Sequence, residues 1–305
     1  MKKNILVIGG SYFVGKVFVE EAVQKEEFDI YVLNRGNRPL NMDRVNELIC
    51  DRHDIDRLEA VLPAKIWDAV IDFCAYTPTD IEILMNVLPN NSLKQYIFIS
   101  TASIYEDTLD LPVKEEAPKL TGPQPELGPA ADYGYNKWLA ELKLMELCES
   151  ANIPYTCLRP TIIYGKYNYA PRESYFFDLI KSGQRIVLPD NELALFQFVS
   201  VWDVAKIILE CIGNQRAFNQ AFNLSADELV SYRRYVQVLE EITGQKIPTT
   251  VLPVQTIERE LIPLPFPLDK HLIYSGTLVQ RVLGFEYTPF VEGMKRTYNW
   301  YCSLE

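Results

Sequence analysis

Apolar residues along this chain come in two alternating rhythms. Asn4–Ile8 is a short continuous apolar run closed by Gly9-Gly10. From Val14 to Lys25 the spacing is helical, with Val14, Val17, Phe18 and Ala22 on one face. Asp29–Leu33 is a second apolar run. Strand, glycine turn, helix and strand in that order require a right-handed crossover and parallel pairing. The alternation continues. Further strands are predicted at Leu48–Cys50, Trp67–Phe73, Gln95–Ser100 and Tyr155–Arg159. Helices are predicted at Ile55–Leu62, closed by Pro63, at Pro78–Leu88, closed by Pro89, and at Ala131–Ser150. Strands alternating with helices as far as Arg159 predict an α/β fold with a doubly wound parallel Rossmann sheet.

After Gly165 the alternation weakens. Tyr167–Leu188 reads as a loop and a helix, and Phe196–Val201 and Val204–Gly213 as a strand and a helix returning to the core. Ala221–Leu224 is a short strand, and Ser231–Thr243 an amphipathic helix ended by Gly244. Pro248–Pro267 is proline-rich, while Gly276–Leu283 and Phe290–Cys302 are helical. The pattern predicts a dinucleotide-binding domain at 1–165 plus 196–225, and a smaller, discontinuous C-terminal substrate lobe at 166–195 plus 226–305. Asp107–Gly128 carries Pro112, Pro118, Pro123 and Pro125 and reads as a long excursion ahead of the longest helix. Connections of that length are functional or disordered.

Composition narrows the classes. The 305 residues are 48% hydrophobic and 23% charged, ordinary for a globular enzyme, with a formal net charge of −11. That charge repels phosphate backbones and argues against nucleic acid as a partner. The Lys2-Lys3 start resembles the head of a signal peptide, but the apolar run behind it stops at Gly9, short of the about 7–15 residues such a segment needs. No stretch approaches the about 20 apolar residues of a membrane helix. Cys50, Cys74, Cys148, Cys157, Cys211 and Cys302 are scattered without a CxxC, the usage of a reduced, cytoplasmic protein. His53 and His271 stand far apart with no ligand partners in spacing, so no metal site is expected.

The candidate chemistry begins at Gly9-Gly10-Ser11-Tyr12-Phe13-Val14-Gly15, between the first strand and the first helix. In that context the turn and the helix N-terminus offer N–H groups and a partial positive charge to a pyrophosphate. Gly9, Ser11, Tyr12, Phe13, Val14 and Gly15 are therefore candidate cofactor-binding residues, with Gly9 for the turn and Gly15 for helix packing. A full fingerprint has glycine where Tyr12 stands. The second strand ends Leu33-Asn34-Arg35-Gly36, with no acid for a ribose hydroxyl. Asn34 and Arg35 can accept a 2′-phosphate, which favours NADP over NAD, and Arg38 can add a charge. Arg35 stacking on adenine is the alternative. Asp51 suits the adenine amino group, and Arg52 can stack nearby.

Tyr133 and Lys137 stand at i and i+4 at the start of the longest helix and share a face. A neighbouring ammonium favours the phenolate, so Tyr133 can take a proton from a substrate hydroxyl as hydride leaves its carbon. Lys137 can also bond the nicotinamide ribose. Tyr135 lies on another face. Ser100-Thr101-Ala102-Ser103 follows the fifth strand at the end where ligands bind in open α/β sheets. Thr101 and Ser103 are both able to orient a substrate oxygen, and Ser100 is a candidate cofactor contact.

Together these residues resemble the extended branch of the short-chain dehydrogenase/reductase superfamily, the NAD(P)-dependent epimerase/dehydratase proteins. The resemblance runs through the glycine turn, Asp51, Phe98-Ile99-Ser100-Thr101-Ala102-Ser103-Ile104-Tyr105, Tyr133/Lys137, Leu158–Gly165, Phe198–Ala205 and Leu283-Gly284-Phe285. It implies that Thr101, Tyr133 and Lys137 are catalytic, that Pro160 and Ile163 line the nicotinamide, and that Ala75 meets the cofactor. It further implies hydride transfer as an epimerase or reductase on a nucleotide-sugar or related hydroxyl or ketone substrate, and a homodimer. Sugar dehydratases of the family follow the catalytic Thr with Asp-Glu; here Ala102-Ser103 stand instead, which disfavours dehydration. The turn and Asn34-Arg35-Gly36 also resemble a subgroup that includes chloroplast stem-loop RNA-binding proteins. The alternative function is therefore a cofactor-binding regulator or RNA-binding relative with little redox activity.

Overall fold

A computed structural model describes residues 2–89, 91–191 and 193–304. The first part of the chain runs β1 (Lys3–Ile8), α1 (Phe13–Val23), β2 (Phe28–Asn34), β3 (Val45–Ile49), α2 (Ile55–Val61), β4 (Ala69–Asp72), α3 (Pro78–Val87), β5 (Tyr96–Ile99), α4 (Tyr133–Ala151) and β6 (Tyr155–Pro160). It continues with β7 (Ile162–Tyr164), α5 (Glu173–Lys181), β8 (Ile186–Pro189), β9 (Phe198–Ser200), α6 (Val201–Cys211) and β10 (Gln220–Leu224). Then follow α7 (Tyr232–Thr243), β11 (Thr249–Leu252), α8 (Val254–Arg259), α9 (Thr277–Leu283) and α10 (Phe290–Cys302).

Seven strands form one parallel sheet in the order β10-β6-β5-β4-β1-β2-β3. The order reverses between β1 and β4, and the crevice outside the carboxyl ends of these strands is where such a sheet takes ligands. Alternate residues of β1 feed opposite faces. Ile5 and Val7 join a core with Val17, Phe18, Ile207 and Phe222, under α1 and α6. Leu6 and Ile8 join one with Leu58, Leu84 and Leu144, under α2, α3 and α4. Burial on both faces is why these strands read as unbroken apolar runs.

A third core is aromatic. Phe176, Phe196, Phe198, Tyr232, Tyr235, Phe266 and Phe290 pack together, with Phe198 and Phe290 stacked at 4.7 Å. Two small parallel sheets, β7-β9 and β8-β11, flank it. α9, inside the stretch expected to be lobe, instead packs against the large sheet, with Val279 buried in the first core. The proline-rich stretch holds a strand and a helix, β11 and α8, that the sequence pattern did not indicate. The 107–128 excursion is ordered. Val113 donates to the Ile273 carbonyl and accepts from the Ser275 amide, both at 2.9 Å, tying it to the 272–275 segment. Among the described residues no helix is long and apolar enough to cross a membrane.

Candidate active site

A cavity of about 1250 Å³ opens at the switch point, between the carboxyl ends of the large sheet and the aromatic lobe. Single-ligand pockets run about 300–1,000 Å³, so this one has room for a dinucleotide and a substrate side by side. Its floor is the glycine turn. Gly9 has φ +86°, and a Cβ there would lie 2.9 Å from Cys74 Sγ at the end of β4. A Cβ on Gly15 would lie 2.7 Å from the Gly9 carbonyl oxygen, so α1 packs on the turn itself. Phe13 opens α1 with φ 38°, a strained setting for a bulky residue and one that clusters at ligand clamps. The helix leaves its first amides without intrahelical partners at this floor.

Tyr12, standing where the fingerprint has glycine, builds a stack. The Arg38 guanidinium sits 3.7 Å over its ring, and Tyr169 stacks on it at 5.2 Å and 22°. Tyr169 also meets Phe13 edge-on at 5.9 Å. The stack therefore spans from the β2–β3 loop to the 165–172 loop across the turn. Sequence reasoning missed Tyr169, which stands in no motif.

Two candidate residues have buried polar partners. Asn34 is buried: its amide donates to Glu47 Oε1 at 2.7 Å and its oxygen accepts from the Gly36 amide at 2.6 Å. It shapes the loop and does not face a phosphate, leaving exposed Arg35 and Arg38 as the cations there. Arg52 is likewise buried, with both Nη atoms 3.0 Å from the Asp72 carboxylate and Nη2 2.6 Å from the Asp80 carbonyl oxygen. Those bonds lie in the guanidinium plane, and Arg52 still lines the cavity. In both residues a buried polar partner distant in sequence holds the side chain, and for Asn34 this corrects the phosphate-facing role. Asp51 does face the cavity. It accepts from the His53 amide at 2.9 Å, which holds its carboxyl below the usual range. His53, unassigned by sequence reasoning, bridges Asp51 Oδ1 at 3.1 Å and Asp80 Oδ1 at 2.7 Å.

At the other end of the cavity stand Ser100, Thr101, Tyr133 and Lys137. Thr101 Oγ1 caps the turn at 102–104 by accepting from the Ser103 amide at 3.1 Å, and its hydroxyl stands beside the Tyr133 phenol, near enough to lower it. Gly134 explains the closeness. A Cβ there would collide with the Ser103 carbonyl oxygen, so only glycine lets α4 begin against that turn. Ser103 supplies the backbone carbonyl that meets α4, Thr101 stands beside Tyr133, and both residues line the cavity. Burial raises the Tyr133 phenol above its ordinary value; the Thr101 hydroxyl opposes this. Lys137 donates to the Ala75 and Ile99 carbonyl oxygens at 2.8 and 2.6 Å. Burial pulls its ammonium down to about 8. An ammonium has three donors, so two bonds leave one for a ligand. Ala75 itself does not line the cavity; it positions Lys137. The Ser100 hydroxyl is buried without a partner. Pro160 and Ile163 line the same end. Arg159 locks β6 to α4 through Glu141 at 2.7 Å.

The Epimerase profile, NAD dependent epimerase/dehydratase family, matches residues 5–225. The chain belongs to this family. It is 27% identical to the chloroplast stem-loop binding protein of 41 kDa b of Arabidopsis thaliana, over 98% of this chain and 79% of that protein. It is also 27% identical to a UDP-glucose 4-epimerase of Vibrio cholerae, over 83% and 79%. Among solved structures it resembles the UDP-N-acetylglucosamine 4-epimerase of Methanobrevibacter ruminantium M1 in complex with UDP-N-acetylmuramic acid, at TM-score 0.80 and 20% identity over 100% of both chains. The UDP-glucose 4-epimerase of Thermotoga maritima follows at 0.79 and 21%, over 99% and 100%. Membership brings a nicotinamide cofactor and an enzyme of the extended short-chain dehydrogenase type.

Proposed function

We propose that this protein oxidises and re-reduces a hydroxyl-bearing carbon of a sugar-type substrate, as an epimerase or a ketone reductase, with Thr101, Tyr133 and Lys137 as its catalytic residues. The observation that carries the reading is the contact of Tyr133 with Thr101 at the mouth of a cavity whose other end is a glycine turn. The residues fit a dinucleotide: a tight turn, free helix amides, an unpartnered buried Ser100 hydroxyl and a third Lys137 donor. When bound, NAD(P) supplies the hydride acceptor and donor. Thr101 holds the substrate oxygen beside Tyr133, and Tyr133 takes its proton as the carbon is oxidised. Reduction runs the same step in reverse, with Tyr133 returning the proton. Lys137 offers its remaining N–H donor to the ligand at this end, and the charge of Arg172 opposes the rise of the Tyr133 phenol.

Dehydration needs a further acid and base. Among the described lining residues the carboxylates are Asp51 and Asp80; both are bonded to His53, and Asp80 also accepts from the Tyr76 and Thr77 amides, so neither is free to act as that acid or base. That supports epimerisation or reduction. Exposed Arg35 and Arg38 support NADP over NAD, and free thiols at all six cysteines support a reducing, cytoplasmic compartment. Nucleotide-sugars are the substrate class supported by the relatives' names.

The test is Tyr133→Phe. General acid–base catalysis contributes about 10²–10⁴-fold, so turnover should fall by that factor while affinity for NADP⁺ stays within about twofold. Undiminished turnover removes Tyr133 from the reaction.

A further inference from the structure

Tyr12 is where the turn departs from the glycine fingerprint, and the chemistry at the Tyr133 end gives it no part. Its ring carries both the Arg38 guanidinium, at 3.7 Å, and the Tyr169 ring, at 5.2 Å. Tyr12 is 37% exposed and Tyr169 66%. Two large rings stacked in the open at the rim of a cavity are held by each other rather than by a core.

The two loops that meet at Tyr12 are fixed at their bases and free at their tips. In the 34–40 loop, Glu47 of β3 accepts from Asn34 Nδ2 at 2.7 Å and from the Leu40 amide at 3.3 Å, so one carboxylate pins both ends. Arg38, between them, has no ion pair or hydrogen bond among the described residues; the Tyr12 ring is what holds it. In the 165–172 loop, the buried Glu173 carboxylate accepts from the Gly165 amide at 2.8 Å and from Asn168 Nδ2 at 3.0 Å. Lys166 and Tyr167 both reach Glu20 of α1, at 2.9 and 2.7 Å. Tyr169 itself makes no hydrogen bond among the described residues. Its ring rests on Tyr12 and meets Phe13 edge-on. The tips can therefore part without unfolding either loop.

We propose that Tyr12 and Tyr169, with Arg38 as the outer layer, form a clasp over the bound dinucleotide, which enters and leaves only when the two rings part. A dinucleotide with its pyrophosphate on the turn runs between the Asp51 end and the Tyr133 end, and the stack crosses that line at the turn. The clasp gives a loop of the lobe a part in holding the cofactor, and it makes Tyr12 the post on which that loop closes. A glycine at this position leaves Tyr169 nothing to stack on. Aromatic pairs and exposed cation–π contacts are weak, so the clasp slows exchange without sealing the site. The proposal rests on the dinucleotide site and not on which reaction follows.

The experiment is stopped-flow release of NADPH, and of NADH in parallel, read as nicotinamide fluorescence when the loaded protein is mixed with excess oxidised cofactor. Tyr169→Ala should speed release of both by about tenfold, about 1.4 kcal/mol, without slowing binding. Tyr169→Phe and Tyr12→Phe keep the rings and should stay within about twofold of the wild type. Tyr12→Ala breaks the same stack, so it should match Tyr169→Ala, and the double variant should be no faster than either. Should Tyr12→Ala fail to fold, the exposed Tyr169 carries the comparison of Ala with Phe. Unchanged release in Tyr169→Ala, equal release in its Ala and Phe variants, or additive effects in the double variant overturns the clasp. Faster release of NADPH alone also overturns it, since that marks a lost contact to the 2′-phosphate. Binding of neither nucleotide overturns the clasp and the dinucleotide site together. Turnover is not read, so a result that removes Tyr133 from the reaction leaves the clasp standing.

Discussion

At the scale of single residues the site is built by burying charge. Lys137 is 2% exposed, and burial lowers its ammonium from 10.5 to about 8. Between those values the unfolded chain binds a proton that the folded chain lacks, so stability rises with pH across that window. Below pH 8 the folded state carries the ammonium at a cost of about 3 kcal/mol, from about 1.4 kcal/mol per pKa unit. Lys137→Met removes the titration. The stability of the wild type relative to this variant should climb by about that amount between pH 8 and pH 10.5. Urea unfolding at both ends of the window checks it, and a flat difference would sink the argument. The lost bonds to Ala75 and Ile99 shift the whole curve without tilting it. Arg35 is the complementary case, a cation left exposed. A hydrogen bond to a charged group is worth about 1.5–3 kcal/mol, so Arg35→Ala should raise KM for NADP⁺ by ten- to hundredfold. KM for NAD⁺ should barely move. Equal effects on both cofactors would leave Arg35 to adenine stacking.

At the scale of elements, what the sequence could reveal depended on where each partner lay. β1, β2, β4, β5 and β6 are buried on both faces and were legible as apolar runs. β3 is the edge strand of the sheet and carries Asn46 and Glu47, so only its apolar end was visible and its start was placed three residues late. α6 begins earlier than its pattern suggested because Ser200 caps it, accepting from the Asp203 amide at 3.0 Å. The partners of Asn34 and Arg52 are not legible in the sequence because Glu47 and Asp72 lie 13 and 20 residues away. Tyr133 and Lys137, four apart on one helix, were readable from their spacing. Gly134 between them was not, because its neighbour is the Ser103 carbonyl, on another element. That contact makes α4 testable as a unit. Gly134→Ala should push the start of α4 off the 102–104 turn and part Tyr133 from Thr101. A displacement near 1 Å costs about 10²-fold in rate, so kcat should fall by that order with every catalytic side chain intact. A variant with wild-type kcat would show that α4 tolerates the shift.

At the scale of the whole molecule, the charge distribution separates this chain from the activity in the name of one of its relatives. The Arabidopsis protein is named for stem-loop binding and matches nearly the full chain at 27% identity. Nucleic-acid affinity comes chiefly from cations on phosphates, and each phosphate neutralised adds about 0.9 to the salt slope on duplex. Here the net charge is −11, and many basic residues are already engaged. Arg52, Lys137 and Arg159 are buried, while Lys65, Lys94, Lys143 and Lys166 each pair with a carboxylate. Arg35 and Arg38 lie at the mouth of the cleft, where Arg38 covers Tyr12. Two cations at a cofactor site do not make a track for a phosphate backbone. Filter binding with a structured RNA should therefore give Kd weaker than the about 10⁻⁴–10⁻⁶ M typical of non-specific binders at physiological salt. Lowering the salt should recover little affinity, since few counterions are released. Micromolar binding that weakens steeply with salt would mean a basic surface that these pairings do not reveal, and would put an RNA-binding role back alongside the redox site.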